Sequence, residues 1–224
     1  THTQEPPRME DLYRALIGME DPSAKNLAAR LERYVMGTTK GVFDQQSNIN
    51  LDAPVTVFSL RDLADENRPI VMFMILDFVW TQVRKDLRKR MLIVDEAWYL
   101  MRYEDSAKIL QGFVKRARKY YLGVTVISQN VDDFLSSPYG KAIITNSALK
   151  LLLKQSSAAI NQISEVFFLS QGEKQLLLSS GVGEGIFFAG QNHVAIRIIS
   201  SPDEHALATS KPSEILEARK QQPV

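Results

Sequence analysis

The sequence predicts an α/β fold with a mostly parallel sheet, and two observations support that prediction. Residues 91–94 (MLIV) and 124–128 (VTVIS) are predicted strands, and a helix with an apolar stripe is predicted between them at residues 104–120. Strand, helix and strand in this order form the unit from which parallel sheets are built. Because "MLIV" is continuously apolar, we also expect it to be buried on both faces.

The remaining elements follow from the same kind of pattern. Residues 9–19 and Pro22 to Val35 have helical spacing of apolar residues and predict a small helical subdomain. The β-branched run at residues 54–60 predicts a strand, and residues 68–84 predict a long apolar helix. Further along, we predict a buried strand at residues 149–154 and two helices at residues 160–166 and 171–178. A final pair of strands, at residues 185–190 and 193–199, is predicted to form a hairpin, and a polar tail follows from residue 202 onward.

Composition excludes several classes of protein. The 224 residues carry 27 Lys and Arg against 26 Asp and Glu, so a net charge of +1 excludes a strongly basic nucleic-acid coat. No cysteine is present, which excludes disulfides and thiolate metal sites, and the three histidines are too scattered for a zinc site. The longest apolar run, residues 69–80, is shorter than the roughly 20 residues of a membrane span. The polar start predicts no signal peptide, so membrane association is expected through partners.

The strongest chemical signal is the pair Asp95 and Glu96, which follows the predicted strand "MLIV" directly. Ligands of open α/β sheets bind at the carboxyl ends of the strands. In a nucleotide-hydrolysing site the first carboxylate holds Mg²⁺ and the second orients or deprotonates the attacking water. The alternative is that the pair only caps the helix that follows. The pair alone does not decide between these interpretations.

Gln129 ends the next predicted strand, in "VTVISQN". If the two strands are parallel neighbours, Gln129 lies beside Glu96 at the same edge of the sheet. An amide both donates and accepts hydrogen bonds, so Gln129 can hold a water and contact a γ-phosphate. The alternative is a polar residue that only begins a loop.

Arg116 and Arg118 lie in "KRARKYY", where the predicted helix between those strands ends. A basic face near a helix carboxyl terminus is favoured by the helix dipole alone. The functional alternative is an arginine that reaches the nucleotide of a neighbouring subunit, and a third alternative is contact with DNA phosphates. The sequence does not choose between the two arginines.

No phosphate-binding loop of the form G-x-x-x-x-G-K-[ST] occurs in the 224 residues. The one Gly-Lys pair, Gly140 and Lys141, is followed by alanine and has leucine at the position of the first glycine. Backbone N–H groups that cradle the α- and β-phosphates are therefore expected from a segment outside this sequence.

Taken together, these residues resemble the VirB-four/TraC-like ATPases of type IV secretion and conjugation, in the FtsK–HerA branch of P-loop NTPases. The resemblance rests on "RKRMLIVDEAWYLM", "VKRARKYYLGVTVISQN" and "LLLSSGVGEGIFFAGQNHVAIRIISSPDE", and it extends over residues 7–204. It implies a RecA-like P-loop NTPase core, here the carboxy-terminal part, with a small helical insertion near the amino terminus. The first strand and the P-loop are expected upstream of Thr1.

The resemblance also implies roles and partners. Asp95 and Glu96 become the Walker B pair, Gln129 a nucleotide-binding and catalytic residue, and Arg116 or Arg118 an arginine supplied in trans. ATP and Mg²⁺ are the expected substrate and metal. Expected partners are further copies of the chain in a hexamer, other secretion-system subunits and a transient DNA or protein substrate, at the cytoplasmic face of the inner membrane. The implied domains are an insertion, an ATPase core and a tail, at residues 1–50, 51–204 and 205–224.

Three functions are therefore compared. The first is the hydrolytic part of a secretion motor. The second, motivated by the missing loop, is a non-catalytic module on the same fold that binds partners or DNA. The third is a carboxylate-metal nuclease or DNA-binding protein, motivated by Asp95, Glu96 and the basic helix. It needs further acidic ligands at strand ends where the sequence offers Ser59, Lys154 and Gly190 instead.

Overall fold

The structure is a computed structural model that describes residues 6–46, 49 and 53–221. It divides into two compact units, Thr1–Ser59 and Leu60–Val224. The functional domains expected from the sequence stay a prediction. The described α-helices are Met9–Ile17 (α1), Pro22–Val35 (α2), Lys40–Phe43 (α3), Arg68–Lys85 (α4), Trp98–Met101 (α5), Glu104–Arg116 (α6), Asp132–Leu135 (α7), Pro138–Asn146 (α8), Ile160–Phe167 (α9), Gln171–Ser179 (α10), Pro202–Ala208 (α11) and Pro212–Gln221 (α12). The described strands are Arg90–Val94 (β1), Leu122–Val126 (β2), Leu149–Leu153 (β3), Glu184–Ala189 (β4) and Asn192–Arg197 (β5).

The first unit contains the two helices predicted near the amino terminus. Helix α2 begins as the sequence suggests, because the Asp21 carboxylate accepts a hydrogen bond from the Ser23 N–H at 2.7 Å and Pro22 occupies the first turn. Helices α1 and α2 pack through Leu16 and Ala28, which are buried. The two predicted helices are therefore present in this unit.

The strand predicted at residues 54–60 is wrong. These residues form an irregular segment, and Val55 and Val57 are 78% and 80% exposed. A β-branched run becomes a strand only where a neighbour completes the backbone ladder, and no described residue pairs with this segment.

In the second unit, β1 and β2 form a parallel pair, as the strand–helix–strand order predicts. Their register runs from Arg90 opposite Leu122 to Val94 opposite Val126. The connection passes through α5, α6 and a 3-10 helix at Ala117–Tyr120. The predicted α/β fold with a parallel sheet is thereby confirmed.

One hydrophobic core supports this parallel pair. Trp80 of α4 lies edge-on to Phe113 of α6 and to Tyr120, with ring centroids 4.8 Å and 5.0 Å away. Val94 and Leu122 of the strands belong to the same buried cluster. Helices α4 and α6 thus fix the face of the strands that points inward. No helix in the described part of the chain is both long enough and apolar enough to cross a membrane.

The expectation that "MLIV" is buried on both faces is wrong for the described residues. Met91 and Ile93 are 72% and 59% exposed, whereas Val94 is buried. The same applies to β3, where Leu152 is buried and Leu149 is 64% exposed. A strand, parallel or antiparallel, is buried on both faces only where other elements cover both faces, and the described helices cover one.

Strands β3, β4 and β5 form a second, antiparallel sheet. The predicted hairpin is confirmed, since β4 and β5 pair antiparallel and Gly190 supplies a positive φ of 64° in the turn. Gly185 allows β3 to approach, because a Cβ atom there would lie 2.2 Å from the Leu152 carbonyl oxygen. Apolar pattern alone does not distinguish a parallel from an antiparallel neighbour, so the sequence did not separate this sheet from the first.

We predict that Phe113→Ala lowers the free energy of unfolding of the second unit by about 3–5 kcal/mol, because the side chain is fully buried. Its matched control is Phe168→Ala, since Phe168 is 87% exposed. Urea unfolding followed by tryptophan fluorescence measures both, as Trp80 contacts Phe113 directly. Equal urea midpoints for the two variants would show that Phe113 is not part of the core.

Candidate active site

The parallel pair carries the predicted residues to one edge of the sheet. Beyond the regular strands, the Ile127 N–H donates to the Val94 carbonyl at 2.9 Å, and the Ala97 N–H donates to the Ile127 carbonyl at 3.0 Å. The two chains therefore stay in register past the strand ends. As a result Glu96 and Gln129 lie at the same carboxyl edge, as predicted.

Glu96 and Gln129 are in direct contact. Nε2 of Gln129 donates a hydrogen bond to Oε1 of Glu96 at 2.7 Å, across 33 residues of sequence. The backbone of Glu96 has a φ of 49°, in the left-handed region that non-glycine residues seldom adopt. Its N–H donates to Oδ1 of Asp95 at 2.9 Å. Such strain is typical of sites where a side chain must be aimed.

The site also includes three side chains that follow Glu96 in the sequence and that were not predicted, those of Trp98, Tyr99 and Arg102. The indole Nε1–H of Trp98 donates a short hydrogen bond to Oε2 of Glu96. The rings of Trp98 and Tyr99 stack with centroids 3.7 Å apart. The guanidinium of Arg102 lies 4.4 Å from the centre of the Trp98 ring. Their positions in the sequence did carry a signal: in a helical turn that begins at Trp98, Arg102 follows four residues later and lies on the same face.

These side chains line a cavity of about 330 Å³. Its lining includes two cations and two carboxyl groups, from Arg68, Arg102, Glu96 and Asp133. Arg68 is fully engaged, because it donates to the Tyr99 hydroxyl and to the Leu63 carbonyl, at 2.9 Å and 3.1 Å, and pairs with Asp65 at 2.7 Å. Arg102 makes no hydrogen bond or ion pair with the described residues, so its donors remain available to an anion.

Burial raises the pKa of Asp133 above its ordinary value of 3.8, and the Arg102 charge offsets part of that increase. Ionisation of this carboxyl group therefore costs more free energy in the folded protein than in water. Within this cavity the Arg102 guanidinium is the group suited to an anionic ligand.

The donor set fits a magnesium ion that arrives with a phosphate ligand. Mg²⁺ prefers oxygen ligands, keeps several waters and uses only one or two carboxylates of the protein. Asp95 is exposed, and its Oδ2 makes no bond to any residue in the described ranges. Those ranges contain no group of three or more His, Cys, Asp or Glu residues suited to a metal. Asp95 therefore offers one ligand to a metal held mainly by other groups.

Arg116 and Arg118 are not brought to this cavity. They lie where α6 and the following 3-10 helix run into the start of β2, so the length of β2 separates them from Gln129. Arg116 lies over the Trp80 ring at 4.6 Å and donates to the Gly112 carbonyl at 3.0 Å. Arg118 is exposed and, among the described residues, has no side-chain partner.

Comparisons with known proteins agree with the α/β fold and identify a family. Residues 9–185 match the family described as the TraG P-loop domain. The VirB4 structure of Thermoanaerobacter pseudethanolicus superposes with a TM-score of 0.80 and 33% identity, covering 88% of this chain and 56% of that one.

Curated relatives match at lower identity. The type IV secretion system protein virB4 of Bartonella quintana is 26% identical over 190 residues, which are 80% of this chain. The protein TraC of Escherichia coli K12 is 25% identical over 150 residues, which are 61% of this chain. The matched part spans only 24% and 17% of the length of these two relatives.

We predict that Asp133→Asn stabilises the protein at neutral pH. The raised pKa of Asp133 means that the folded state holds its proton more tightly than the unfolded state does, so stability is lost as the pH rises above 3.8. The amide carries no such penalty. The difference in free energy of unfolding between the variant and the parent should therefore vanish near pH 3 and grow as the pH rises, in urea titrations at several pH values. A variant that is less stable than the parent at pH 7 contradicts the assignment.

Proposed function

The chain belongs to the TraG P-loop domain family of type IV secretion ATPases, and from this premise we propose that it is the hydrolytic part of a secretion motor. In this proposal ATP hydrolysis at the carboxyl edge of β1 and β2 energises type IV secretion or conjugative transfer. The observation that carries the proposal is the contact between Glu96 and Gln129 at 2.7 Å, beside an exposed Asp95.

Glu96 is the proposed general base. Each of its two carboxylate oxygens accepts one hydrogen bond, from Gln129 and from Trp98, and a carboxylate has about four lone-pair positions. Two positions thus remain for a water molecule in the adjoining cavity. The water oxygen bonds to the γ-phosphorus, the bond from that phosphorus to the β–γ bridging oxygen breaks, and the water proton passes to Glu96. ADP and phosphate leave.

Asp95 is the proposed ligand of Mg²⁺, which when bound neutralises charge that develops on the β- and γ-phosphate oxygens. Gln129 fixes the carboxylate of Glu96 with one N–H. Its amide oxygen accepts a hydrogen bond from the attacking water, and its second N–H donates to a γ-phosphate oxygen. The 224 residues fit the metal and the water but contain no loop for the α- and β-phosphates. A P-loop supplied from outside these residues completes the site in this proposal.

The proposed role of Arg118 is to contact the nucleotide that is bound to a neighbouring subunit. Its side chain is exposed and has no partner among the described residues, whereas Arg116 is held against Trp80. Arg118 lies away from the cavity of its own chain, which is the placement that an arginine for a neighbouring subunit requires. We propose a hexamer that contacts other secretion subunits and a DNA or protein substrate. We place it in the cytoplasm, peripheral to the inner membrane.

A second candidate function is a non-catalytic module that binds partners or DNA. In that alternative Asp95 and Glu96 only shape the turn after β1. Nucleotide binding separates the two candidates. A fusion that carries a family P-loop segment ahead of Thr1, here called the P-loop fusion, binds and hydrolyses ATP only if the motor proposal is right.

We predict that Glu96→Gln lowers ATP turnover of the P-loop fusion by roughly 10²- to 10⁴-fold, because a general base contributes about that much. Binding of a fluorescent ATP analogue should stay within about twofold, since the amide keeps the size of the carboxylate. Phosphate release and a binding titration measure the two quantities.

The matched control is Glu165→Gln on α9, where the side chain is exposed and has no partner among the described residues. It should leave both turnover and binding at the parent level. Unchanged turnover in Glu96→Gln would remove Glu96 from the mechanism. No nucleotide binding by the parent fusion would leave the non-catalytic module as the better description.

A further inference from the structure

We propose that Trp98 is a positioning residue for Glu96: its indole N–H fixes one carboxylate oxygen while Gln129 fixes the other. The inference rests on the proposed function, because positioning matters only if Glu96 activates water. It adds a residue that contacts neither metal nor phosphate in the proposal above. Two observations support this role of Trp98: the two hydrogen bonds that Glu96 accepts, and the contacts that hold the Trp98 ring.

The two donors approach the carboxylate from different elements. Gln129, which follows β2, donates to Oε1 at 2.7 Å, and Trp98, at the start of α5, donates to Oε2. With both oxygens bound, the carboxylate plane of Glu96 cannot rotate without losing a hydrogen bond to a charged group. A side chain with several free torsions is thereby limited to one orientation.

The turn at Glu96 makes the Trp98 contact possible. Residues two apart in a regular helix do not face each other, so a direct bond between these side chains requires a break in the helical path. The φ of 49° at Glu96 supplies that break just before α5 begins. The strained residue is therefore the same one whose carboxylate must be aimed.

The Trp98 ring is held in place by its neighbours. Tyr99 stacks on it at 3.7 Å, and Arg102 lies over it at 4.4 Å. Tyr99 is itself fixed, because Arg68 of α4 donates to its hydroxyl at 2.9 Å. A chain of contacts thus runs from α4 to the indole N–H. A guanidinium over an aromatic face is an attractive cation–π arrangement, which resists rotation of the ring.

Trp98 is not a core residue that happens to lie near Glu96. It is only half-buried and is absent from the buried cluster that includes Trp80, Leu100 and Phe113. Because its ring lines the cavity, its N–H is the feature that phenylalanine would remove while keeping an aromatic surface. Trp98→Phe therefore separates the hydrogen bond from the packing.

The contact is tested first in the 224-residue chain without nucleotide. The chain has two tryptophans, so a ¹H–¹⁵N spectrum shows two indole N–H signals, and the one that Trp98→Phe removes belongs to Trp98. Glu96→Gln should shift the Trp98 signal upfield, because a hydrogen bond to a carboxylate is stronger than one to an amide. The Trp80 indole signal should not move in Glu96→Gln, and neither indole signal should move in Glu165→Gln. An unmoved Trp98 signal in Glu96→Gln overturns the proposal.

The consequence is tested in the P-loop fusion. Trp98→Phe should lower kcat roughly 10- to 100-fold, the effect of losing one hydrogen bond to a charged group, with KM within about twofold of the parent. Trp98→His, which keeps a ring N–H, should recover part of the lost kcat. A loss of stability alone would not give this division between kcat and KM or this rescue.

The outcomes separate the two proposals. An active parent fusion with unchanged kcat in Trp98→Phe overturns the positioning role and leaves the motor proposal intact. A parent fusion that binds ATP without turnover overturns the motor proposal and the positioning role with it. In that case the indole signal of the free chain still reports whether the contact between Trp98 and Glu96 forms.

Discussion

The register between β1 and β2 is the constraint on which the candidate site depends. Backbone hydrogen bonds from Ile127 to Val94 and from Ala97 to Ile127 extend the parallel pair beyond its last regular residues. A shift by one residue would turn each side chain to the other face and separate Glu96 from Gln129. The contact across 33 residues is thus a property of strand pairing, which the core around Trp80 and Phe113 in turn fixes.

Three arginines of this unit lie at opposite ends of the parallel pair. Arg102 lines the cavity at the carboxyl edge with its donors available, and Arg68 there is held by Tyr99 and Asp65. Arg118 lies near the start of β2. This separation places Arg102 at the candidate site and Arg118 at the opposite end of the pair, as the proposed role of Arg118 in trans requires.

Strain and support are combined in the segment after β1. The left-handed backbone of Glu96 costs roughly 1–2 kcal/mol relative to a helical one, and it is retained in a turn that aims a carboxylate. The Asp95 carboxylate, the Trp98 indole and the Gln129 amide all bond to Glu96. Several contacts on one strained residue are expected where the orientation of its side chain matters more than the backbone strain that it costs.

The sequence by itself determined the strand–helix–strand order of residues 91–128, the parallel pair, and the meeting of Glu96 with Gln129. These follow from local periodicity and from the rule that parallel strand ends share an edge. The tertiary structure decided what depends on neighbours. Residues 54–60 pair with no described strand. Met91 is exposed because the described helices cover only one face of the parallel pair. The ring of Trp98 reached Glu96 only through a backbone angle that no residue pattern specifies.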